Sequence, residues 1–228
     1  SSAPDLMLAA AARQTRNISG HKTDVKDCRW IQKLHSYGLL APAFRPEKSI
    51  TVLRNYWRQR QGLIASCAQQ IHLLHKALDQ MNVQVHKVLS DITGQSGMRI
   101  VRAIVAGERD REKLASLCHS GIKCTQAQVA RALEGNYQAE HVFALGQALE
   151  AHDFFQHQLE AADRALEAQI ATVPSRHTEP REDRPQAQTR AKRRKNQPHF
   201  DLREQLHRIA GVDLARVEGL DALTACSV

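Results

Sequence analysis

The stretch that decides the fold is residues 50–88, "ITVLRNYWRQRQGLIASCAQQIHLLHKALDQMNVQVHKV". Positions 50, 53, 57, 60, 64, 67, 71, 74, 78, 81, 85 and 88 advance in alternating steps of three and four, and all are apolar except Arg60. A repeat averaging 3.5 residues keeps one stripe of a helix facing a partner, so this spacing predicts a long helix with a coiled-coil seam through to Val88. Arg60 is the polar interruption, of the kind that sets register in such seams.

A second helical stretch is expected from Gln126 to about Val173, broken near "EGNY". Val142, Leu145, Leu149, His152, Gln156, Leu159, Ala162 or Asp163, Leu166 and Ile170 keep roughly the same rhythm with a more polar seam. It could return antiparallel against the first long helix, or each could pair with a second subunit. Between them, "RIVRAIVAGERDREKLASL" predicts two short helices around Gly107.

Upstream, "LMLAAAA" (6–12) and the turn-like "NISG" (17–20) suit the last strand of a sheet. "TDVKDCRWIQKLHSYGLL" then predicts a helix of about four turns, with Thr23 as N-cap, Asp24 and Asp27 in the first turn and Gly38 as the stop. Downstream, residues 174–199 are rich in Pro, Arg, Gln and Lys and read as a disordered basic linker, with eight Arg or Lys against three acids. The tail from Phe200 reads as a small helical hairpin with breaks at Gly211 and Gly219.

Composition narrows the function. Hydrophobic content of 42% with 25% charged residues is ordinary for a globular chain. No apolar run nears the roughly 18 residues of a membrane span, and "LMLAAAA" lacks the basic flank of a signal peptide, so a cytoplasmic protein without membrane partners is expected. Five dispersed cysteines without a C-x-x-C pair argue for reduced thiols. "CHSGIKC" lacks the second half of a zinc site. A net charge of +8 and a pI near 9.5 favour a polyanionic partner. Within the linker, Lys192, Arg193, Arg194 and Lys195 could each neutralise a phosphate of DNA or RNA, or simply keep a linker solvated.

Candidate chemistry centres on "GHKTDVKDCRW" (20–30). Carboxylates three apart share a helix face and can together hold a hard divalent cation through oxygen. They are equally at home as helix-start acids stabilised by the macrodipole. Spacing alone leaves both readings open. Ser96 in "DITGQSG" fits neither a nucleophile elbow nor a P-loop, and the pairs His72/His75 and His152/His157, lacking a third ligand, read as surface residues.

Taken together, "ISGHKTDVKDCRWIQKLHSYGLLAPAFRP", "DITGQSGMRIVRAIVAGERD" and "FDLREQLHRIAGVDLARVEGLDALTA" resemble, in order and spacing, the middle of DEDD-type insertion-sequence transposases, the family of the Piv invertase and the bridge-RNA-guided recombinases. The resemblance implies a mainly α chain. It would comprise the C-terminal part of an α/β RNase H-like (RuvC-like) domain (1–45), a helical coiled-coil region (46–173), the basic linker (174–199) and the start of a helix-hairpin-helix-like, serine-bearing transposase domain (200–228). It also implies that Asp24 and Asp27 are the last two of four acids holding Mg²⁺, with Lys22 as a phosphate contact.

DNA, a guide RNA and further copies of the chain are the implied partners. The other two acids and the nucleophilic serine match no residue here, so the sequence reads as an internal piece, inactive alone. His21 and Cys28 stand where Arg and Ala are more usual in the family. A rival expectation is a non-catalytic coiled-coil remnant that binds nucleic acid or an intact transposase.

Overall fold

The computed structural model describes residues 23–39, 46–119, 121–176 and 196–227. The expected strand at 6–12, His21, Lys22 and the run 192–195 lie outside these. The described residues are mainly helical and contain no strand. The chain divides into two compact units, residues 1–51 and 52–228.

In the first unit, α1 (Asp24–Ser36) begins where expected: Thr23 Oγ1 accepts from Lys26 N at 3.4 Å, satisfying one of the N–H groups a helix start leaves unpaired. It ends at Tyr37, and Gly38 adopts φ +65°, the left-handed turn open to glycine. Of Val25, Cys28, Ile31 and Leu34, only Leu34 is buried.

The second unit is organised by two long helices, α2 (Lys48–Gln80), which enters it at Val52, and α7 (Ala139–Ala171). Between them lie α3 (Val85–Val88), α4 (Gln95–Val105), α5 (Arg111–Ser116) and α6 (Gln126–Ala132). None of the twelve seam positions from Ile50 to Val88 is exposed, as the repeat predicts. Leu74, Ala77 and Leu78 of α2 share a core with Leu145, Ala148 and Leu149 of α7. Towards the other end, Trp57 meets Leu166 and Ile170. As residue numbers rise on one helix they fall on the other, so the two return on each other antiparallel within one chain.

The seam does not run on as one helix to Val88. Helix α2 stops at Gln80 because Asn82 takes φ +59°, a conformation Asn tolerates better than most residues. The freed backbone is taken up across the fold: Asn136 N donates to Met81 O at 3.0 Å and Gln84 N to Ala132 O at 2.8 Å. Met81, Val83 and Val85 still enter the core, so burial continues after the helix has ended.

The C-terminal segment adds α8 (Leu202–Ala210), a 3₁₀ turn (Leu214–Arg216) and α9 (Ala222–Ser227), with Gly211 and Gly219 at positive φ as the breaks predicted. Phe200 and Leu202 close over Trp57, Leu166 and Ile170. The described ends of the 174–199 segment are tied down, since Arg176 N donates to Arg208 O at 3.0 Å and Pro198 is buried.

Candidate metal and nucleic-acid site

Asp24 and Asp27 occupy the first turn of α1, three residues apart, where the cap at Thr23 fixes the backbone; Asp27 N donates to Thr23 O at 3.0 Å. Asp24 is exposed and Asp27 half-buried. Asp27 Oδ1 is shielded from solvent and has no hydrogen-bond partner among the described residues. A carboxylate oxygen stripped of water without a replacement is costly, and a divalent cation is one group that would compensate it. The hard oxygen donors therefore fit Mg²⁺, with Asp24 open to solvent beside it. Among the described residues, however, no set of three or more Asp, Glu, His or Cys side chains is grouped to hold a metal, so this pair supplies only part of a ligand shell.

Trp30, one helical turn beyond Asp27, also has a shielded, unpartnered polar atom, its indole Nε1. Sequence reasoning passed over it. The available signal was its three-residue spacing from Asp27 on the same face.

Among the described residues, none of the other expected ones lies on this turn. Lys22 and Lys192, Arg193, Arg194 and Lys195 lie outside the described residues. Ser96 Oγ accepts from His119 N at 2.9 Å, a loop-fixing role. His75 stacks on His86 with ring centroids 5.1 Å apart, and burial followed by the nearby His86 lowers its pKa. His152 is buried rather than a surface residue, because its position in the seam turns it inward; its Nδ1 lies 3.2 Å from Asp153 Oδ1. His72 and His157 are exposed as expected. Cys118 and Cys124 are partly buried free thiols, and Cys124 Sγ donates to Val88 O at 3.1 Å. No described helix is long and apolar enough to cross a membrane.

Residues 6–83 match the family model of DEDD-type IS110 transposases, described as a transposase. The matched stretch contains both aspartates, all of α1 and all of α2, and points to a transposase. No curated protein and no solved structure matches the chain.

Proposed function

We propose that this chain is part of an insertion-sequence transposase that cuts and rejoins DNA with Mg²⁺, and that Asp24 and Asp27 are two of its metal ligands. The observation that carries the reading is the match over residues 6–83, with both aspartates inside it on one turn of α1. The shielded, unpartnered Asp27 Oδ1 supports the ligand role. When bound, Mg²⁺ would supply Lewis-acid stabilisation of charge at a phosphodiester. The chain's own contribution is to hold the two carboxylates on a capped, rigid helix turn. Lys22 and the run from Lys192 to Lys195 contribute phosphate contacts, which fits the net charge of +8. Assembly of copies on DNA and a guide RNA are further parts of this reading, although the α2 seam is filled by α7 of the same chain.

The metal role is tested by replacing Mg²⁺ with Fe²⁺ and adding ascorbate, so that radicals cut the protein backbone next to the bound ion. Cuts mapped by mass spectrometry should cluster around residues 23–30 and vanish in Asp24→Asn/Asp27→Asn. Uniform cutting, or clustered cutting that survives the double substitution, would sink the assignment. DNA binding is tested separately: it should persist in the double Asn variant and weaken steeply with salt.

A further inference from the structure

Three cationic side chains far apart in sequence line one open groove of about 650 Å³ in the second unit. Lys87 comes from α3, Lys123 from the turn before α6, and Arg131 from the last turn of α6. All three are exposed. Lys87 Nζ stands 3.8 Å from Asp79 Oδ1, whereas no described acid pairs with Lys123 or Arg131. The lining carboxylate, Glu134, is already held by the Arg111 guanidinium. Gln128 also lines the groove; its Oε1 accepts from Thr125 N at 2.9 Å, which leaves its amide N–H donors unspent.

The groove is held open by backbone bonds. Gln84 N donates to Ala132 O, tying the start of α3 to the end of α6, and Cys124 Sγ donates to Val88 O across the floor. A reciprocal capping box at Thr125 and Gln128 fixes the start of α6. Behind the groove, Gly135 packs so close to Met81 O and Val83 that an added Cβ would approach each to 2.5 Å. Cations drawn from separate elements around one open channel suit a polyanion that presents a run of phosphates.

We propose that this groove takes the phosphodiester backbone of DNA, with Lys87, Lys123 and Arg131 against phosphates and Gln128 donating to a phosphate oxygen. The proposal rests on the transposase reading for the identity of the polyanion, and on the groove for its place. Sequence gave no run to find it by, because the three cations are dispersed between residues 87 and 131.

The test uses the full chain, fluorescently labelled duplex DNA of mixed sequence, and salt from about 50 to 200 mM. Lys123→Ala/Arg131→Ala should lower the slope of log affinity against log salt by about 1.8, since each lost phosphate contact removes about 0.9. Both side chains are exposed, so an unchanged melting temperature should accompany the loss. As a second measurement on the wild-type chain, duplex DNA should slow alkylation of Cys124 on the groove floor. Wild-type DNA binding with an unchanged slope in the variant and no Cys124 protection would overturn the groove assignment and leave the transposase reading standing. Absence of DNA binding by the wild-type chain would overturn both. Equal Cys124 protection by inorganic phosphate would make the groove a small-anion site, and protection by single-stranded RNA alone would make it an RNA site; either result overturns the proposal.

Discussion

Arg60 Nε donates to Asp163 Oδ1 at 2.5 Å, joining the polar positions of two antiparallel helices in the interior of the second unit. Arg60 is 1% exposed and Asp163 6%. The guanidinium also lies over the Trp57 ring, 5.3 Å from its centroid, and His199 Nδ1 stands 3.7 Å from Asp163 Oδ2. Arg60 Nη1 has no hydrogen-bond partner among the described residues. A buried charge pair of this kind is weak as a source of net stability but punishing when broken. Its value here is register: sliding α2 by one turn against α7 would leave both charges buried against apolar neighbours.

Asp163→Ala should therefore destabilise the second unit by about 3–5 kcal/mol, because it strands the Arg60 charge. Arg60→Met/Asp163→Leu should recover most of that loss and could exceed wild-type stability by about 1–4 kcal/mol. Urea denaturation of the three chains checks the ordering. Equal destabilisation in the single and double variants would mean that Asp163 matters for something other than balancing Arg60.

How much of this was legible in the sequence can be judged from these same positions. The three-and-four spacing identified Arg60 as a seam residue and left Ala162 or Asp163 at one seam position of the second helix, since periodicity fixes which face a residue occupies. It could not pair them, because the antiparallel offset between α2 and α7 depends on the turns and short helices between them. The end of α2 was hidden for a related reason: Met81 and Val85 fit the repeat, and what stops the helix is Asn82 with bonds to residues about fifty positions away. Asp24 and Asp27 were legible as a pair on one turn. The shielding of Asp27 Oδ1 is a property of packing that spacing does not carry.

A second ion pair predicts the response of the C-terminal segment to acid. Arg203 grips Asp213 with two bonds, Nε to Oδ1 at 3.1 Å and Nη2 to Oδ2 at 2.6 Å, and the hydrogen bonds from Arg203 hold the Asp213 carboxyl below its ordinary pKa. A depressed folded-state pKa stabilises the fold above the unfolded value of about 3.9 and loses that contribution as pH falls through the folded value. The segment should thus loosen below about pH 4. Asp213→Asn should cost about 1.5–3 kcal/mol near neutral pH and flatten the acid limb of the stability curve. Hydrogen exchange over residues 200–227 at a series of pH values measures both effects, and an acid limb unchanged by the substitution would assign it to another group.

The five thiols should differ widely in reactivity. Cys28 is exposed on α1, whereas burial pushes the Cys226 thiol up to about 12. At pH 8 a thiol of that kind has only about one part in ten thousand as the reactive thiolate. Pulsed iodoacetamide labelling read by mass spectrometry should modify Cys28 first and Cys226 last, with Cys67 and Cys118, both raised by burial, between them. Labelling of Cys226 should accelerate in Asp163→Ala, because Arg60 is close enough to influence the Cys226 thiol and lies over Trp57 of the cluster that Cys226 packs against. Equal rates for Cys28 and Cys226 in the wild-type chain would show that the tail does not pack as described.

Two glycines give opposite predictions for one substitution. Ala is normally the better helix residue by about 0.8–1 kcal/mol. At Gly62, in the middle of α2, an added Cβ would meet nothing within 4 Å, so Gly62→Ala should stabilise by roughly 0.5–1 kcal/mol. At Gly97, buried in α4, the same Cβ would run into Ile92 O and fall 2.6 Å from its carbonyl carbon, both backbone atoms that cannot swing aside as a side chain does. The clash should overwhelm the helix preference, and Gly97→Ala should destabilise by about 1–3 kcal/mol as α4 is pushed away from the Ile92 turn. Thermal melts of the two single variants decide the matter: melting temperatures that rise together would mean the close approach of Ile92 to α4 is not present in solution.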